Sequence, residues 1–110
     1  MERTIQIDGK PVMIKATAST LRRYMNKFGT DLLKDFALIS HAWEAGSVDT
    51  KVFNTSQNLV YILAKQADPS VPDDVEEWLD SFDRFPLSDF IVDAMTLWVD
   101  SMQTQVKEKK

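Results

Sequence analysis

Asp8-Gly9 stands between two short alternating runs, Ile5 and Ile7 before it and Val12 and Ile14 after it. An Asp-Gly pair flanked by period-two apolar residues is the strongest short-range signal for a β-hairpin, because both residues accept the positive φ that a tight hairpin turn needs. Strands are therefore predicted at about 3–7 and 11–16. Beyond Thr17 the apolar period lengthens to three and four, which makes the following segments helical.

Ser19 or Thr20 caps a first helix with Leu21, Tyr24, Met25 and Phe28 on its apolar face, and Gly29 ends it. Thr30 caps a second helix that lines up Leu32, Phe36, Ile39 and Trp43, with Leu33 and Ala42 at the edges, and stops near Gly46. Leu38 falls off this stripe. A third helix is expected from Asp49 or Thr50 to about Ala67, where Val52, Phe53, Leu59, Val60, Ile62, Leu63 and Ala67 form a broad apolar face ended by Asp68-Pro69. Pro72 then occupies a first helical position. Asp73, Asp74, Glu76 and Glu77 crowd the first turn as the helix dipole favours, and Val75, Trp78, Leu79 and Phe82 make the buried face. Pro86 closes this short helix. The last helix runs from near Ser88 past Met102 with Phe90, Ile91, Ala94, Met95, Leu97, Trp98 and Met102 as its apolar residues, and Leu87 lies just before it. The expected architecture is mainly α (α+β): an N-terminal β-hairpin followed by about five helices in one compact domain over residues 1–102, then a flexible basic tail over 103–110.

A chain of 110 residues fits one domain and, with 44% hydrophobic residues, buries a core that needs no disulfide and no structural metal. The absence of cysteine fits an intracellular protein and excludes zinc ribbons and thiol catalysis. No apolar run approaches the ~20 residues of a membrane span, and Met1 to Lys10 lacks the core of a signal peptide, so a cytoplasmic location without membrane contact is expected. Charge is uneven along the chain. Residues 1–55 carry eight Lys or Arg against six acids, whereas 56–110 carry five against eleven. Between Asp68 and Asp100 ten acids face Arg84 alone, a composition that repels nucleic acid and favours a basic partner.

Few residues offer chemistry. Gly9, Gly29 and Gly46 are isolated, so no glycine loop cradles a phosphate and no nucleotide cofactor is expected. His41 follows Ser40, but neighbouring helical residues point about 100° apart and no GxSxG frame surrounds them. Asp68, Asp73 and Asp74 lack the alternating oxygens and central glycine of a calcium loop and read as caps and first-turn charges, so no metal is expected. Glu76, Asp80 and Asp83 lie opposite the apolar face of their helix and should face water as ordinary carboxylates. The expectation is a protein that is not an enzyme. Trp43, Trp78 and Trp98 fall on apolar faces, where they pack a core or anchor a contact. Two helices meeting at Gly29, with Lys10, Lys15, Arg22, Arg23 and Lys27 nearby, have the outline of a DNA-binding helix-turn-helix. Asp31 and Asp35 would then point at the phosphates, which is the wrong sign.

The run Ile14-Lys15-Ala16-Thr17-Ala18-Ser19-Thr20-Leu21-Arg22-Arg23-Tyr24, followed by Lys27-Phe28-Gly29-Thr30-Asp31-Leu32 and Asp35, resembles the start of tail assembly chaperones from phages and prophages of Gram-positive bacteria. Tyr61-Ile62-Leu63-Ala64-Lys65-Gln66-Ala67-Asp68-Pro69-Ser70, then Glu77-Trp78-Leu79-Asp80-Ser81-Phe82 and Leu97-Trp98, extend the resemblance over nearly the whole chain. These are packing and capping residues, so they speak for a fold more than for a mechanism. The resemblance implies a short, lambda-type chaperone that coats the tape measure protein in the host cytoplasm, keeps it soluble during tail tube assembly and is absent from the mature virion. A longer frameshift product would recruit the tail tube protein, and the Lys107-Glu108-Lys109-Lys110 ending fits an A-rich slippery stretch. Helix-in-groove contacts suit such a partner, with Trp78, Phe85 and Trp98 as candidate anchors and alanine at Phe85 expected to spare thermal stability. A homo-oligomer is compatible with this reading. The competing classes are a prophage-encoded DNA-binding regulator and a structural head-tail component.

Overall fold

Asp8 and Gly9 both take positive φ, 55° and 75°, as the two central residues of a type I′ turn require. In the computed structural model, which describes residues 1–103, this turn joins β1 (Glu2–Ile7) to β2 (Lys10–Lys15) in an antiparallel pair. Ile5 lies opposite Val12 and Arg3 opposite Ile14, so the period of two sends Ile5, Ile7 and Ile14 to one buried face. The polar ends of that same face reach out to the helices. The Arg3 guanidinium donates to Asp93 Oδ1 at 2.9 Å, and Lys10 Nζ donates to the Ser81 carbonyl at 3.0 Å.

Five helices follow: α1 (Thr20–Phe28), α2 (Leu32–Ala45), α3 (Thr50–Ala67), α4 (Val75–Leu79) and α5 (Leu87–Ser101). The hairpin and these helices match the expected fold class. Leu59, Val60, Tyr61, Ile62, Leu63 and Ala64 are six consecutive buried residues, which covers α3 around its whole circumference. Such a helix has to sit at the centre. Accordingly β2, α1, α2, α4 and α5 all pack on it.

Polar side chains lock this arrangement where apolar contact alone would leave it free to slide. Trp43 Nε1 donates to Ser56 Oγ at 3.0 Å, and that buried hydroxyl donates to the Val52 carbonyl, joining α2 to α3. Thr20 Oγ1 accepts from the Thr17 amide and donates to Gln66 Oε1 at 2.7 Å, which ties the start of α1 to the end of α3. Tyr24 Oη donates to Asp35 Oδ2 at 2.9 Å across the α1–α2 corner. Burial, and then the neighbouring Asp35 carboxylate, push the Tyr24 phenol above its ordinary pKa, so it stays a neutral donor.

Several helix boundaries differ from those predicted, each for a visible reason. Thr30 does not cap α2, because its hydroxyl donates to Asp35; Asp31 caps it instead, its carboxylate accepting from the Leu33 amide. Ser19 holds the N-cap position of α1 without a side-chain cap bond, and the Thr20 hydroxyl serves the turn before it. Pro72 is not a first helical residue. Its carbonyl accepts from Tyr61 Oη at 2.6 Å, while Lys65 Nζ donates to the Pro69 and Val71 carbonyls, so the segment is held as a loop until Asp74 caps α4. Pro86 does not close α4, which ends at Leu79, but precedes Leu87 as the N-cap residue of α5. Lys10 on the Ser81 carbonyl and Asp8 Oδ2 accepting from the Asp83 amide hold residues 81–83 off the helical path. Phe82 therefore packs from the loop after α4. Of the tail expected over 103–110, all but Gln103 lies outside the described residues.

Leu63→Ala is expected to lower unfolding free energy by about 2–5 kcal/mol, the range for a fully buried leucine. Urea unfolding checks it through a lower midpoint at unchanged slope. A loss under about 1 kcal/mol would remove α3 from the centre of the core.

Candidate partner-binding surface

Of the three candidate anchors two are enclosed and one is partly exposed. Trp78 is 5% exposed and Trp98 3%, while Phe85 is half-buried. Trp78 packs edge-on against Tyr61, Phe82 and Phe85 with ring centroids 5.7, 5.3 and 5.6 Å apart, and Phe85 continues to Phe90 at 5.1 Å. These aromatic pairs join α3, α4, the following loop and α5 into one apolar wall. Trp98 meets Phe36 of α2 at 4.8 Å.

Exposed apolar side chains occur on several elements, among them Met13, Met25, Leu33 and Phe53, and one continuous strip of them follows from the composition of α5. Phe90, Ile91, Ala94, Leu97 and Trp98 face the core, which leaves Val92, Met95, Val99 and Met102 on a second stripe. Those four recur at three, four and three, so they share one side of the helix. Val92 is 66% exposed and Met102 48%. On α2 the same spacing puts Leu33, which is 51% exposed, on one side with Phe36 and Ser40.

Both helices rest on α3 and meet each other through Phe36 and Trp98. A groove of about 320 Å³ opens between them, lined by Phe36, Ser40, Val92, Met95, Thr96 and Val99. Past Val99, Trp98 and Met102 border a smaller hollow with Leu21. Leu21 in turn leads to Met25 on α1. Of the residues expected on the apolar face of the last helix, Met95 is half-buried against the core while also lining the groove, whereas Met102 is exposed; Val92 and Val99 did not figure in that expectation. The legible signal was that α5 carries too many apolar residues for a single face, with the surplus at heptad-like spacing.

The other candidates occupy different surroundings. Glu76, Asp80 and Asp83 are exposed, as is His41. Hydrogen bonds from the Ser70 hydroxyl and amide lower the Asp68 pKa, and the Lys65 ammonium beside Asp73 does the same there. Folded-state depression means that each contributes stability above the ordinary carboxylate range and loses it as pH falls. Among the described residues no three His, Asp or Glu gather as metal ligands, and no helix is long and apolar enough to cross a membrane.

The corner between α1 and α2 turns at Gly29 with φ 73°, and two of its exposed cations, Arg23 and Lys27, are engaged within the fold. Lys27 donates to the Asp73 carbonyl, Arg23 Nε to Ser19 Oγ, and Lys65 to the 69–71 loop as well as Asp73. Asp31 and Asp35 are spent on the α2 cap and on Tyr24. Lys27 and Lys65 together brace the loop that follows α3.

Comparison with protein-family models, with curated proteins and with solved structures finds no match.

The aromatic packing reverses the expectation for alanine at Phe85. Phe85→Ala is expected to cost roughly 2–4 kcal/mol of stability, whereas Val92→Ser, on an exposed face, should stay within about 0.5 kcal/mol. Thermal melts of the two variants decide it; equal melting temperatures would remove Phe85 from the core wall.

Proposed function

We propose that this protein is a non-enzymatic tail assembly chaperone of a long-tailed phage or prophage, which binds the tape measure protein and keeps it soluble while tail tube subunits assemble around it. The observation that carries the reading is the exposed apolar groove between α2 and α5, lined on one side by Phe36 and on the other by Val92, Met95 and Val99. A tape measure protein is a long helical chain with apolar stripes exposed before assembly, and a groove between two helices is a general way to cover such a stripe.

The sequence resemblance adds the specific partner. Its segments supply Tyr24, Leu32, Tyr61 to Ala64 and Trp78, which are buried residues, so it supports a shared scaffold. Under this reading the chain works in the host cytoplasm and leaves before the virion is complete. A longer frameshift product would carry the contact to the tail tube protein.

Co-expression with the tape measure protein of the same genome, followed by affinity pull-down and a solubility assay, tests the function. Co-purification together with rescue of an otherwise insoluble tape measure protein is expected. A tape measure protein that stays insoluble and unbound, even beside the longer product, would overturn the assignment.

A further inference from the structure

The α2–α5 groove has an electrical as well as an apolar character. α5 carries Asp89, Asp93 and Asp100 but no Lys or Arg. At about 100° per residue these three fall on the side of α5 beyond Thr96, about 120° round from the centre of the stripe of Val92, Met95, Val99 and Met102, with Asp89 nearest to it. Asp93 has Arg3 as its ion-pair partner, while Asp89 and Asp100 form no ion pair among the described residues. Negative charge thus stands on the outer shoulder of α5, past Thr96 at the edge of the groove, and comes nearest the stripe at Asp89.

We propose that this groove takes an amphipathic helix whose apolar residues repeat at three and four and whose flank, on the α5 side, is basic. The inference deepens the proposed function and rests on its reading of the groove as a helix site. From Val92 to Met102 the stripe spans ten helical steps, or about 15 Å at the α-helical rise, enough to seat between two and three turns of a partner. The spacing of its four members is that of successive a and d positions. Met95 and Met102 can reshape around different apolar side chains, so the groove reads pattern and charge more than sequence.

Charge selects this occupant over the others. A second copy docking α5 on α5 would bring two helices of three aspartates and no cation together, in a chain of net charge −4. An anionic membrane surface meets the same repulsion. A helix with lysine or arginine beside its apolar stripe places those cations on the side of Asp89 and Asp100 instead.

Three synthetic helices of one apolar stripe, with Lys/Arg, Gln or Glu flanks, test the inference by fluorescence anisotropy against the full chain at low and high salt. The basic peptide is expected to bind most tightly and to weaken with salt. Val99→Ser should weaken it by about tenfold or more, as loss of a central apolar contact does. Asp89→Asn with Asp100→Asn should weaken the basic peptide by about three- to tenfold and leave the Gln peptide unchanged. Equal binding of all three peptides, or binding indifferent to both sets of variants, would overturn the proposal. So would a dimer of the chain alone that Val99→Ser dissociates, since the stripe would then belong to a second copy. Peptide discrimination with no rescue of the tape measure protein would leave the groove's chemistry standing and sink the chaperone assignment. Rescue without discrimination would do the reverse.

Discussion

A helix that is apolar around its whole circumference cannot rest on a surface; it must be enclosed. Leu59 to Ala64 make α3 such a helix, and the rest of the molecule is arranged by the need to cover it. The hairpin covers one side with Ile5, Ile7 and Ile14, and α1, α2, α4 and α5 take the remaining sides. Each covering element is then held by a specific polar contact: Trp43 on Ser56, Thr20 on Gln66, Tyr61 on the Pro72 carbonyl and Arg3 on Asp93. Hydrophobic burial draws the elements together without fixing their register, and these directional bonds fix it.

Enclosing α3 has a consequence for the surface. Two helices that both rest on a third need not pack along their full length, and α2 and α5 leave a groove above the contact of Phe36 with Trp98. Because α5 carries more apolar residues than its core-facing side can use, the groove is lined by Val92, Met95 and Val99 rather than by charge. The aromatic residues that a surface scan would select as anchors are instead structural. Trp78 and Phe85 hold the short α4 and its loop against the core, and Trp98 supports the groove from beneath through Phe36. In the proposed function, rigidity below the groove keeps it open for a helical partner that changes along its length.

Much of the fold was legible in the chain because local chemistry and tertiary packing agree there. Asp8-Gly9 specifies the turn, Gly29 and Gly46 end helices at positive φ, and the periods of Leu32, Ile39 and Leu59 mark buried faces. The misread boundaries lie where a distant side chain overrides a local preference. Pro72 favours a helix start, yet Tyr61 and Lys65 hold its segment as a loop; Pro86 reads as a stop for α4, yet Asp8 and Lys10 end that helix earlier. The binding surface was harder to read than the core. A hydropathy pattern shows that Trp98 and Val99 are both apolar, but only the neighbours of α5 determine that the first is enclosed and the second is exposed.

Site-specific photocrosslinking in the complex with the tape measure protein tests the central claim most directly, with a photoreactive residue placed at Val92, at Val99 or at Leu38. Leu38 is exposed and apolar like the other two but lies on the opposite side of α2 from Phe36 and Ser40. Crosslinks from positions 92 and 99, with none from 38, are the result predicted for a helix seated between α2 and α5. Crosslinks from position 38 alone would place the partner elsewhere on the molecule and contradict the account.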